Sequence, residues 1–439
     1  MHNNNGVNFI MYMGRRLKVL REERGFSRKE LAEGVVSYSY LSNIENGVVN
    51  CSSDTLIFLA NKLKVPIDFF TKINKPDETI EIQFNKSVKL LKENNLEELK
   101  KIIYCLKKSN LYNINQEIKF TLLASLFYFK TYSFNEALIH HKKFLKLTSP
   151  EYINKSDIFT RSLNKLVKYH LFILKKTPEK ALELLKDEDC LFLISNYELE
   201  YLKAVCYKLL GYYSVAKNVL IRGLELCPEK FVAEFINLIA IIEYTNGNKK
   251  DTLRFLFRAH YLSKRTHDDI FQSIILNNLS IISFEFNKNK LSRYLASVAI
   301  NVREKHKIYL TMNPYLNFID ISIKEENYQT AFKLINSMDK SNFIGDKNLI
   351  LSAYKLNLMR ITKSTPIDFE EKVKKLFIKA KRTNKLDRIP SFCYDFSLYF
   401  FERGRYKDAF EFLYYSQNTH SNVSLSRSNN RLEHSISLC

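Results

Sequence analysis

Two sets of side chains in this chain are suited to recognition chemistry. The first is Ser37, Tyr38, Ser39, Tyr40 and Asn43, four hydroxyls and a carboxamide within one short stretch. Carried on a helix, such groups can bond base edges or phosphates of double-stranded DNA. Ser27 and Arg28 add a hydroxyl and a guanidinium on the approach to that stretch, where phosphate contact is the natural role. The second set is Asn237, Asn277, Asn317 and Asn357, which recur every 40 residues, with Tyr244 two helical turns beyond Asn237 on the same face. A carboxamide both donates and accepts, so a ladder of them can hold the backbone of an extended peptide whatever its side chains. The competing reading is chance register in an asparagine-rich chain. Catalytic signals are missing: the sequence has no Gly-rich phosphate loop, H-E-x-x-H, G-x-S-x-G or metal-spaced His/Cys cluster. No enzyme, metal or cofactor is expected, and His140-His141 and His267-Asp268-Asp269 read as polar surface features.

The elements that must position the first set are written into Ser27 to Gly47, SRKELAEGVVSYSYLSNIENG. Ser27 and Glu30 stand three apart ahead of an apolar pattern, the spacing of a capping box. Gly25 suits the left-handed turn that closes the preceding basic helix, Gly14 to Arg24. Leu31, Ala32 and Val35 give the second helix its inner stripe, and Leu41 and Ile44 do the same for the third. Ser37 can cap that third helix, which leaves Tyr38, Ser39, Tyr40 and Asn43 outward, and Asn46-Gly47 ends it. Ser53 can cap a fourth helix carrying Leu56, Leu59, Ala60 and Leu63. The run Arg15, Arg16, Lys18, Arg21, Arg24, Arg28 and Lys29 is the local basic concentration, suited to phosphates.

From Gly14 to Phe70 the sequence resembles the helix-turn-helix of the phage-repressor (XRE) family, through ELA at Glu30–Ala32, IENG at Ile44–Gly47 and TLIFLANKLKVP at Thr55–Pro66. Its turn is one residue shorter than usual in that family and lacks the common glycine. That short form is similar to the turn of the Rgg, PlcR and NprR group (RRNPP), peptide-sensing transcription regulators of Gram-positive bacteria. The resemblance implies a repressor-type head followed by tetratricopeptide (TPR) units. It also implies that short signalling peptides are held by asparagines of the inner helices, the role it gives to Asn237, Asn277, Asn317 and Asn357.

Composition sets the frame. The chain has 439 residues with only 10 glycines and 8 prolines and no long alternating runs, which argues for an all-α protein of at least two folding units. The formal charge of +21 is spread evenly, with +4 on residues 1–75, so bulk charge alone does not locate a DNA site. For the remaining lysines the plain reading is a solvated face. Seven scattered cysteines with no C-x-x-C pair read as reduced thiols of a cytoplasmic protein. No apolar run is long enough to span a membrane.

After Lys72 to Glu78 the chain repeats. In Tyr197 to Pro228, residues Ala204, Tyr207, Gly211, Ala216, Leu220, Gly223 and Pro228 fit the small, aromatic and turn positions of a TPR helix pair. Equivalent positions opening second helices are Leu99, Ala137, Ala181, Ala216, Thr252, Ser292, Ala331, Val373 and Ala409, spaced 35 to 44 residues apart. The expected fold is an N-terminal phage-repressor-type helix-turn-helix domain plus a C-terminal TPR-like right-handed α-solenoid; the alternative is an irregular helical bundle. The expected boundaries are a flexible arm at 1–12, the helix-turn-helix domain at 13–72, a linker at 73–78 acting as hinge, about nine helix pairs at 79–417 and a flexible tail at 418–439. The functional expectation is a homodimeric cytoplasmic transcription regulator that binds operator DNA under control of a short signalling peptide. The alternative is a Rap-like TPR adaptor that sequesters a response regulator or another protein, with the helix-turn-helix for recruitment or autoregulation.

Overall fold

The computed structural model describes residues 4–131, 133–266, 269–305, 312–339, 347–382 and 390–418. His267, Asp268 and residues 419–439 of the expected tail lie outside them. Every element among the described residues is helical. The head comprises α1 (Asn4–Glu23), α2 (Arg28–Ala32), α3 (Tyr38–Glu45), α4 (Ser53–Lys62) and the single turn α5 (Asp68–Thr71). The capping box forms in full: Ser27 N donates to Glu30 Oε2 at 2.7 Å and Glu30 N donates to Ser27 Oγ at 3.2 Å. Ser37 Oγ accepts from Tyr40 N at 3.2 Å, which starts α3. Gly25 and Gly47 take left-handed conformations, φ 75° and 70°, and close α1 and α3.

Two local expectations change. The cap of α4 is Ser52, not Ser53. Helix α1 begins at Asn4 rather than at Gly14, so helix replaces the expected flexible arm from residue 4 onward. Within this helix Met13, Leu17 and Leu20 form one buried stripe at spacings of four and three. Gly14 is a point of close helix approach, not a helix start. A Cβ there would lie 2.1 Å from the Ile44 carbonyl oxygen.

The remaining helices follow as pairs. They are α6 (Glu78–Lys92) with α7 (Leu96–Lys108), α8 (Ile114–Lys130) with α9 (Phe134–Leu147), and, after the short α10 (Pro150–Lys155), α11 (Ile158–Leu174) with α12 (Pro178–Leu184). Helix α13 (Asn196–Leu209) then precedes α14 (Tyr213–Leu226). Next come α15 (Val232–Thr245) with α16 (Lys249–Arg265), α17 (Asp269–Glu285) with α18 (Asn289–Lys305), and α19 (Asn313–Lys324) with α20 (Tyr328–Asp339). The last described pairs are α21 (Lys347–Ile361) with α22 (Phe369–Arg382) and α23 (Pro390–Glu402) with α24 (Tyr406–Asn418). The chain divides into two compact units, Met1–Leu210 and Gly211–Cys439.

Small side chains explain how paired helices approach. Leu99, Ala137, Ala181, Ala216, Thr252, Ser292, Ala331 and Val373 are at most 1% exposed, each on a second helix, and Ala409 is also buried. In two pairs a serine fixes the crossing: Ser125 Oγ donates to Ala137 O at 2.9 Å, and Ser280 Oγ donates to Ser292 O at 2.7 Å. Both contacts span 12 residues, the signature of one repeated geometry.

Candidate nucleic-acid interface

Helix α3 presents Ser37, Tyr38, Ser39 and Asn43 to solvent, and Tyr38 is 55% exposed. Leu41 and Ile44, on the opposite face, are wholly buried. Tyr40 is half-buried, its hydroxyl donating to Asn50 O at 3.3 Å. The helix is held from beneath by Glu45, whose carboxylate is buried between Arg21 Nε at 2.5 Å and Arg28 Nε at 2.8 Å. Arg28 is therefore tied into the head, and the carboxylate raises its pKa above the ordinary value. Ser27 serves as a cap. These two residues shape the interface more than they project from it.

The basic run also resolves differently from expectation. Arg16 and Arg21 are buried, Arg15 and Lys18 are half-buried, and Arg24 and Lys29 are exposed. Arg16 is 1% exposed and bonds both within and beyond the head: Nη1 donates to Phe69 O of α5 at 2.7 Å and to Tyr112 O at 2.5 Å, Nε to Glu117 Oε2 at 2.8 Å, and Nη2 to Leu111 O at 3.1 Å. Its guanidinium lies 4.7 Å over the Phe69 ring. Burial opposes ionisation of Glu117, but Arg16 and Lys143 outweigh it and hold the carboxyl below its ordinary value. Lys143 bridges Glu117 and Glu23, each at 3.1 Å, and Lys146 pairs with Glu22.

The segment at 73–78 is fastened as well. Ile73 is fully buried and its carbonyl accepts from Ile114 N at 2.8 Å; Gln116 exchanges hydrogen bonds with both the amide and the carbonyl of Asp77. A hinge needs backbone free to turn, and this backbone is bonded along α8. The head and the first repeats are thus hydrogen-bonded to each other on both sides of this segment. Nothing in the residue pattern marks Arg16 as a strut, because a buried arginine looks like any other member of a basic run.

The asparagines occupy equivalent first helices, α15, α17, α19 and α21, but they do not line an open wall: Asn237, Asn277, Asn317 and Asn357 are 2%, 1%, 1% and 6% exposed. Three of them, Asn237, Asn317 and Asn357, join first helices to one another. Asn278 Nδ2 donates to Asn237 Oδ1 at 3.1 Å, Asn317 Nδ2 to Ser280 Oγ at 2.6 Å, and Asn357 Nδ2 approaches Asp395 at 3.5 Å. Tyr244, also buried, donates to Glu285 Oε1 at 2.6 Å. Inter-repeat bonds therefore run through Asn237, Asn317 and Asn357, while in α17 the bonding carboxamide is Asn278, next to the predicted Asn277. The Oδ1 atoms of Asn277 and Asn317 are buried without a hydrogen-bond partner among the described residues. His140 differs from expectation too: its ring is half-buried, stacked on Tyr128 and edge-on to Phe120.

The helix-turn-helix family model HTH_3 matches residues 17–70. The head is a helix-turn-helix domain of this type. No curated protein sequence matches the chain. Among solved structures, the apo form of the quorum sensor NprR from B. thuringiensis superposes with a TM-score of 0.54 at 14% identity, covering 78% of this chain and 99% of that one. NprR in complex with its cognate peptide NprX gives 0.53 at 14%, covering 79% and 100%. A Rap protein complexed with competence and sporulation factor gives 0.52 at 14%, covering 79% and 99%. The chain thus joins an XRE-type helix-turn-helix domain to the TPR-like helical fold shared by these proteins.

Proposed function

We propose that the protein is a cytoplasmic, DNA-binding transcription regulator that works as a homodimer and is controlled by a short linear peptide held in its repeat domain. The observation that carries the DNA reading is the exposed Tyr38, Ser39 and Asn43 set on a helix whose caps and buried face leave it no other packing role. One recognition helix covers few base pairs, so two heads on paired half-sites supply the specificity. Among the described residues no helix is long and apolar enough to cross a membrane, which agrees with a soluble site of action.

The peptide reading is supported by the two orphan acceptors. A buried carbonyl oxygen without a donor costs about 1–3 kcal/mol. A peptide N–H that reached Asn277 or Asn317 would recover that cost. Because both are buried, the peptide must part neighbouring inner helices as it enters, so its binding favours one spacing of the repeats over another. With the head bonded to the first repeats, the change reaches DNA through the placement of two heads and not through a loose linker.

The test is calorimetric titration of the full-length protein with synthetic peptides from the C-terminus of any short exported reading frame beside its gene. Saturable binding by the wild type, weakened at least about tenfold by N277A or N317A, supports the reading. Absence of binding, or equal binding by both variants, refutes it. A wild type that shifts no DNA yet captures a response regulator would support the adaptor alternative instead.

A further inference from the structure

Helix α16 buries Thr252, Leu256, Ala259 and Ser263 on one side. Its opposite side carries Lys250, Arg254, Arg258, Lys264 and Arg265, all exposed, and among them the rings of Phe257 and Tyr261, 52% and 64% exposed. At 3.6 residues per turn these positions fall within about a third of the helix circumference, and they run roughly 22 Å along it. No carboxylate stands on this stripe. Other outward faces of the chain set their cations against acids of the same segment: Lys372 pairs with Asp368, Lys375 with Glu371 and Lys101 with Glu98. Beside the stripe, Arg254 reaches Asp251 at 3.4 Å and Arg265 reaches Glu229 at 3.2 Å, while Lys250, Arg258 and Lys264 have no ion pair among the described residues. Neither Phe257 nor Tyr261 meets another ring or a cation among those residues. Like charges four residues apart weaken a helix. Keeping Lys250, Arg254 and Arg258 in line, with two rings in water beside them, does nothing for the fold.

We propose that this face binds single-stranded RNA, its cations on the phosphates and the rings of Phe257 and Tyr261 against the bases. The complementarity is one of alternation. An unpaired strand offers a negative charge and a flat ring at every nucleotide, and the stripe interleaves cations with flat rings. A duplex keeps its base faces inside the stack, so it would meet the charges and leave both rings in water. An acidic polypeptide would do the same. A membrane surface calls for apolar side chains that form a face of their own, whereas here the two rings are set among cations. Tyr261 favours RNA over unpaired DNA: its hydroxyl both donates and accepts, and so can pair with a ribose 2′-hydroxyl beside the stacked base. The inference goes beyond the function proposed above, which draws on the head and the inner helices only.

The experiment is fluorescence anisotropy of the full-length protein with a short labelled RNA that cannot pair with itself. The wild type is expected to bind it, and to bind the DNA strand of the same sequence more weakly. The double variant F257A Y261A should weaken RNA binding at least about tenfold through the loss of two stacking contacts, with circular dichroism unchanged because both rings are exposed. R258A K264A should flatten the slope of log affinity against log salt by about 1.4, the share of two phosphate contacts on a single strand. Both double variants should still select the same duplex motif as the wild type, and Y38A S39A N43A should still bind RNA, so failure of one reading leaves the other measurable. A wild type that binds no RNA, or a ring variant that binds it as tightly as the wild type, overturns the proposal. Equal or tighter binding of the DNA strand overturns the assignment to RNA. Poly-glutamate or phosphatidylglycerol vesicles held more tightly than RNA by the same residues would mark a surface for acidic proteins or for a membrane, and would overturn it too.

Discussion

Single side chains divide into those that face outward to recognise and those that are tied down to position them. Asn43 is free on the surface of α3, and Glu45, two residues on, is buried under two arginines. We predict that N43A lowers affinity for the preferred DNA by about 1–3 kcal/mol, the worth of one base contact, with little change in melting temperature. E45Q should instead lower stability and DNA affinity together; fluorescence anisotropy and thermal melting separate the two patterns. Within the repeats, Asn237 and Asn277 predict opposite results although they are equivalent in the sequence. N237A removes the acceptor of a formed bond to Asn278 and should cost about 1–3 kcal/mol in urea denaturation. N277A removes an oxygen that has no partner and should cost less. The outward set of α3 was legible in the sequence because caps are local signals read three residues at a time. The burial of Arg16 was not, because its partner Glu117 lies 101 residues away.

At the scale of elements, the decisive contacts are the crossing of α1 over α3 and the fastening of α1 to α8 and α9. G14A places a methyl against the Ile44 carbonyl and should destabilise the protein by about 1–3 kcal/mol, as overpacking does, while loosening α3. R16M leaves the Glu117 carboxylate buried with one partner fewer and should cost about 3–5 kcal/mol; E117Q in the same background should recover part of that loss. Acid should weaken this same unit. Burial pushes His140 down to about 4 and His170, stacked on Phe129, down to about 3. As pH falls below 6.5 the unfolded chain binds protons that these folded rings refuse, so stability declines from that point toward pH 4. Glu117, held below 4.5, adds to the loss at the acid end. Melting temperature should therefore drop between pH 7 and 5, with a shallower slope in H170F; a flat profile would contradict the assignment. Helix pairing was readable from small residues at repeat spacing. The fastening of residues 73–78 was not, because Pro76 and the change of composition mark a connection without saying whether it is bonded.

For the whole molecule, an all-helical chain with a repressor-type head was legible throughout, since both features rest on periodic or capped segments. What the sequence could not show is that the repeated asparagines are enclosed: burial of an inner helix depends on neighbours from adjacent repeats, and no periodicity within one helix reports them. In the function proposed above, DNA binding and peptide binding meet through the spacing of repeats. The most direct measurement is enrichment of a random duplex library on the full-length protein, run in parallel with a variant carrying Y38A, S39A and N43A. The wild type should enrich a twofold-symmetric motif whose half-sites are separated by about one helical turn or a multiple of it, and the variant should enrich none. A wild type that selects no motif, or a triple variant that selects the same one, would contradict the assignment of α3 as the element that reads DNA.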